Sequence, residues 1–186
     1  MSNPLDAIRD RYLLTQQCVR VVARVVRTGA KKIIQPKHTF LVGVDVATAE
    51  RLAGEAEEHL DRLTVLDLTS AFERYLRLHV LDAYHAAFAA GTPRLDAIHG
   101  ELKKDIEFWN VSERLLTLFS GVDAVVRGNV KQVIDYRNWV AHGKWADQLL
   151  SLTTNPTHIA PKPNKISPEQ AYDRLTAFLT QAGLVA

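Results

Sequence analysis

The sequence predicts an all-α fold, a bundle of five to seven helices, and three observations carry that expectation. The seven prolines, at positions 4, 36, 93, 156, 161, 163 and 168, leave two spans, 37–92 and 94–155, in which long helices are permitted. Along both spans the apolar residues recur in steps of three and four, the period of one helical face. The one run rich in strand formers, 39–44, finds no convincing partner run elsewhere, so it reads as a short strand or an extended loop. A chain of 186 residues, 47% apolar, is the size of one domain. We therefore read 1–186 as a single unit, with a core over 46–145, a loop over 151–166 and a C-terminal helix over 167–183.

In the first helix, Ile8, Tyr12, Thr15, Val19, Val22 and Val26 form one stripe. Asn3 before Pro4 supplies its cap and Gly29 its stop. Arg20, Arg24, Arg27 and Lys31 make a basic ridge, which reads first as a solvated helix face. Thr48 is the expected cap of a segment holding Ala49, Leu52, Ala53, Ala56 and Leu60. A second helical face follows, through Leu68, Phe72, Tyr75, Leu76, His79 and Ala83, and Gly91-Thr92-Pro93 stops it. Shorter helices are expected over 95–108 and around Leu115, Leu116, Leu118 and Phe119, before a break at Ser120-Gly121. The last core helix runs from Val122 to about His142 on Val126, Val130, Val133, Ile134 and Val140. Within it, Gly128-Asn129 is either a kink or the true start. Three prolines make 151–166 a surface connection. Ser167-Pro168-Glu169-Gln170 then combines an N-cap, proline in the first turn and the capping-box glutamine. Ala171, Tyr172, Leu175, Phe178, Leu179 and Ala182 are its buried face, and Gly183 ends it.

Several function classes fall away. Cys18 is the only cysteine, which excludes an intramolecular disulfide framework and a Cys-rich metal site; within an apolar helix it reads as a buried small hydrophobe. Arg9, Asp10 and Arg11 interrupt any apolar leader, and no stretch approaches the ~18 apolar residues of a membrane span. A cytoplasmic protein without membrane contact is the expectation. The sequence holds no phosphate-cradling Gly-Lys loop, no G-x-S-x-G elbow, no H-E-x-x-H and no dinucleotide fingerprint. The histidines at 38, 59, 79, 85, 99, 142 and 158 form no i,i+4 pair, so neither a metal nor another cofactor is expected. His79 and His85, on either side of Asp82, read as structural.

One stretch remains, Asp135-Tyr136-Arg137-Asn138-Trp139-Val140-Ala141-His142-Gly143-Lys144. Arg-x4-His occurs three times, at Arg74/His79, Arg94/His99 and Arg137/His142. Only the last has Asn after the arginine, a small residue before the histidine and glycine after it. On a helix Asn138 and His142 share a face, whereas Arg137 is rotated roughly 140° from His142. Between 127 and 144 lie Arg127, Lys131, Arg137 and Lys144 against Asp135 alone, a local surplus of positive charge that would attract a polyanion.

Arg137 through Gly143 resembles the R-x4–6-H motif of the HEPN superfamily, all-α domains of which many are metal-independent ribonucleases of toxin–antitoxin and other defence systems. The stretch Leu66 to Leu76 is similar to the HEPN helix in which an acidic residue often faces the motif, with Glu73 at that position. The resemblance implies a homodimer in which two motifs meet at one scissile phosphate of an RNA substrate. It implies that Arg137 stabilises the phosphorane, that His142 acts as general acid or base, that Asn138 orients phosphate or the histidine, and that Glu73 positions Arg137. Lys144 would support the site, and Arg127, Lys131 and Trp145 would contact RNA. The products would be a 2′,3′-cyclic phosphate and a 5′-OH, and an antitoxin or other defence component would be a partner. The rival expectation is a non-catalytic HEPN-like module that binds nucleotide, RNA or protein. At single residues the structural readings stay open: His142 as a helix cap, Arg137 as an interior ion-pair member, and Trp139 as packing.

Overall fold

The structure, a computed structural model, describes residues 3–28, 45–87, 93–142 and 163–185. Over these the chain is an all-α bundle without a strand. Its helices are α1 (Asp6–Arg27), α2 (Val46–Ala87), α3 (Pro93–Phe108), a π-helical turn (Val111–Leu115) running into the single turn α4 (Leu116–Leu118), α5 (Ala124–Ala141) and α6 (Pro168–Gln181). No helix among the described residues is long and apolar enough to cross a membrane. The strand-or-loop run 39–44 and most of the 151–166 connection lie outside the described residues, as do Lys31, Lys144 and Trp145.

α2 is the axis of the molecule. Its 42 residues span about 63 Å at the helical rise, and the two segments expected from the sequence are one continuous helix. Its cap is Asp45 rather than Thr48. The Asp45 carboxylate accepts from the Thr48 backbone N–H at 2.9 Å and from the Thr48 hydroxyl at 2.7 Å. These bonds hold the Asp45 carboxyl below its usual range. α1 packs along the N-terminal half of α2, while α5 and α6 pack on the remainder and on each other.

The core sits where these last three helices meet. Leu68, Phe72 and Leu76 of α2 close against Val130, Val133 and Ile134 of α5 and against Leu175, Phe178 and Leu179 of α6. The rings of Phe72 and Phe119 each meet Phe178 edge to face, with centroids 5.5 Å apart. Both ends of α6 follow local rules. Ser167 and Gln170 form the reciprocal capping box, and Gly183 takes φ +70°. There Leu184 N–H donates to the Leu179 carbonyl and Gly183 N–H to that of Thr180, the paired bonds of a Schellman stop. α5 begins at its Asp123 cap and passes through Gly128-Asn129 as unbroken helix, so that pair is neither start nor break.

The first and last helices are members of the bundle. Leu5 is fully buried in the common core. Asn3 donates to the Thr176 hydroxyl at 2.9 Å, and Tyr172 of α6 donates to Asp6 at 2.7 Å. Farther along α1 the expected stripe is only partly sealed. Tyr12 is buried, yet Thr15 and Val22 are exposed, and so is Cys18, against its reading as a buried hydrophobe. Arg20 and Arg27 of the basic ridge pair with Glu57 and Glu50 of α2 on the surface.

Candidate functional site

The site begins with the register of α5. Val130, Val133, Ile134 and Val140 recur at helical spacing and are buried. Arg137 falls in the middle of that stripe, so its side chain leaves α5 toward α2 rather than toward solvent. A guanidinium aimed into an apolar interface needs an anion there. Glu73 of α2 supplies it, its Oε1 in ion-pair contact with Arg137 Nη2. The Glu73 side chain is 11% and the Arg137 side chain 23% exposed. Arg137 Nη1 donates to the Asn138 side-chain oxygen at 3.0 Å, and Arg137 Nε is buried without an acceptor among the described residues. Burial pushes the Arg137 guanidinium below its usual range.

Glu73 also meets a second cation. Its Oε2 lies 3.5 Å from Nη1 of Arg77, one turn further along α2. Arg77 in turn donates to the carbonyls of Ile106 and Trp109, each at 3.2 Å, and so satisfies acceptors at the end of α3. Arg77 was not among the candidate residues. Its i,i+4 spacing from Glu73 was the available signal, but that spacing is common on any helix. Two guanidinium groups around one carboxylate leave the cluster with a surplus positive charge.

His142 stands apart from this interior cluster. It is the C-cap of α5, its backbone N–H donating to the Asn138 and Val140 carbonyls, and it is exposed. The capping role and an accessible side chain therefore coexist. Asn138 is half-buried one turn earlier. Arg127, Lys131, Asn138 and His142 follow steps of four, seven and four, which on α5 makes one face over about 22 Å. Lys131 is exposed and Arg127 half-buried on that face. Trp139 is half-buried and packs against the core, its ring stacked on Tyr136 at 6.0 Å, in keeping with packing.

The structure thus brings Arg137, Asn138 and Glu73 into contact, and sets His142, Lys131 and Arg127 on the adjoining face. Gly143, Lys144 and Trp145 fall outside the described residues. No three His, Cys, Asp or Glu side chains gather to hold a metal ion among the described residues. Chemically, the arrangement offers an exposed imidazole at the end of α5 and, farther back along the same face, cations of the kind that bind phosphate. No family model, no curated protein and no solved structure matches this chain.

Proposed function

We propose that this chain is a HEPN-like, metal-independent endoribonuclease, working as a homodimer and serving as a toxin or effector of a cytoplasmic defence system. The observation that carries the reading is the exposed imidazole of His142 on one face of α5 with Asn138, Lys131 and Arg127, one turn beyond a guanidinium fixed by Glu73. RNA brings its own nucleophile. An imidazole removes the 2′-OH proton as that oxygen bonds to phosphorus, and an imidazolium returns a proton to the departing 5′-oxygen. The products are a 2′,3′-cyclic phosphate and a 5′-OH end. In-line attack sets the 2′-oxygen and the departing 5′-oxygen on opposite sides of phosphorus, so one imidazole cannot reach both, and a second copy supplies the other. Arg137 neutralises charge on the phosphorane, Asn138 orients it, and Glu73 positions Arg137. Lys131 and Arg127 hold flanking phosphates along α5.

The test is cleavage of single-stranded RNA in EDTA by wild type, Arg137→Ala and His142→Ala. Loss of cleavage in both variants with helicity retained supports the assignment, and cleavage retained in both defeats it. A second reading draws on the Arg137–Glu73 pair itself. With the guanidinium engaged inside the fold, the motif serves structure, and the chain is a non-catalytic HEPN-like module binding nucleotide, RNA or protein. Binding of RNA without cleavage by any preparation would favour that alternative.

A further inference from the structure

Helix α1 carries two apolar seams, and the bundle covers one. Leu5, Ile8, Tyr12, Val19 and Ala23 turn toward α2 and the core, and all are buried or half-buried. The other seam runs at heptad spacing, with Ala7, Leu14 and Val21 interleaved with Arg11, Cys18 and Val25. Its centre lies about 130° around the helix from the first. Leu14 is 63% and Val21 58% exposed, and Cys18 and Val22 are exposed beside them, whereas Val25 at the end of the seam is half-buried. Several large aliphatic side chains along one face in water are the signature of an interaction surface.

We propose that this seam is a contact surface for a second copy of this chain, the two α1 helices pairing antiparallel about a two-fold axis at the level of Gln16. Charge fixes both partner and direction. Asp10, Gln17 and Arg24 flank the seam on one side at seven-residue intervals. Across an antiparallel pair these flanking positions face their own kind in reverse order. Asp10 therefore meets Arg24 of the second copy, Gln17 meets Gln17, and Arg24 meets Asp10. A parallel pair sets Asp10 opposite Thr15 and gains no ion pair. The same axis seats Leu14 against Cys18 and Ala7 against Val25, and the aliphatic stem of Arg11 covers Val21 while its head reaches water. Asp10 and Arg24 make no ion pair among the described residues, whereas Arg20 and Arg27, on the α2 side of the helix, are already engaged by Glu57 and Glu50. The pattern is self-complementary, as an isologous contact requires. The nuclease reading also calls for a homodimer and would fall with a monomer, but the seam, its charges and the charge-swap test concern α1 alone and leave the α5 chemistry to its own test.

The test is the mass of the full chain by sedimentation or light scattering across the micromolar range, where a dimer is expected. The double variant Leu14→Glu/Val21→Glu should be monomeric with an unchanged circular dichroism spectrum. Should it misfold, the charge variants decide. Asp10→Arg alone puts like charges face to face twice and should weaken the dimer about tenfold. Adding Arg24→Asp should restore it. A short bis-maleimide should join two copies through Cys18, the sole cysteine. A monomer at every concentration overturns the proposal and leaves the seam to a different protein. A dimer indifferent to both the glutamate pair and the charge swap overturns it as well.

Discussion

Glu73 and Arg137 join α2 to α5 through an ion pair that is largely removed from water, and Arg77 shares the same carboxylate. The three groups are not equivalent. Arg77 has the Ile106 and Trp109 carbonyls as further acceptors, and Glu73 has two cations. Among the described residues Arg137 has only Asn138 besides Glu73.

That inequality orders the cost of substitution. Glu73→Gln leaves Arg137 charged, mostly buried and without its anion, and should cost about 3 kcal/mol of stability, as breaking one side of a buried pair does. Arg137→Met leaves Glu73 still facing Arg77 and should cost clearly less. Urea unfolding of both variants checks the order, and equal losses would mean that Arg77 contributes nothing to holding Glu73.

His142 lies beyond the last helical residue of α5 and is exposed, so its replacement should separate chemistry from folding. His142→Ala should stay within about 0.5 kcal/mol of wild type in the same unfolding assay. RNA cleavage, by the proposed mechanism, should vanish. By the same proposed mechanism a Glu73 variant should lose both together, which is why His142 is the cleaner probe.

Where signals are local, the sequence sufficed. Ser167, Pro168, Gln170 and Gly183 delimit α6. Arg137 stands in line with Val130, Val133 and Val140, a register from which its interior position could have been read, although the sequence reading left it open between ion-pair member and catalytic group. Where the signal depends on a neighbour, it did not. In α2 the apolar stripe through Ala49, Ala53 and Leu60 faces α1. The stripe through Leu68, Phe72 and Leu76 faces α5 and α6, about 120° around the helix. A change of partner along one helix looks, in sequence, like two helices. Cys18 was misplaced for a related reason. Its apolar neighbours Leu14 and Val21 suggest burial, but they belong to the seam that α2 does not cover. Thr48 resembles a cap because it bonds to the true one, Asp45. The face shared by Arg127, Lys131, Asn138 and His142 follows from spacing, but its exposure depends on where α2 and α6 sit.

The two ends of α6 should be separately measurable. Ser167→Ala removes the acceptor for the Gln170 N–H, 3.2 Å away, and should cost about 1 kcal/mol. Gly183→Ala meets no neighbouring atom, so any loss there comes from the positive φ alone, again about 1 kcal/mol. The sites lie at opposite ends of the helix, so thermal unfolding of the double variant should show additive losses.

Stability should also depend on pH through the polar contact between α1 and α2. The Tyr12 hydroxyl donates to Asp61 at 2.9 Å and accepts from Gln16 at 2.8 Å. Loss of hydration raises the Asp61 carboxyl above its ordinary 3.8, more than the Tyr12 hydrogen bond and the charge of Lys165 lower it. The folded state therefore holds the Asp61 proton more tightly than the unfolded chain. Stability from this group is complete below pH 3.8 and falls as pH rises through the folded value. Asp61→Asn keeps an oxygen for Tyr12 but cannot ionise, so at neutral pH the variant should unfold at higher urea than wild type. That advantage should shrink toward zero as the pH is lowered past 3.8. The same linkage acts at the alkaline end. Burial raises both Tyr12 and Tyr136 above their ordinary 10.0, so the unfolded chain ionises first and stability should decline from pH 10 upward. Tyr12→Phe should make that decline shallower. An alkaline limb identical in wild type and variant would show that Tyr12 does not govern it.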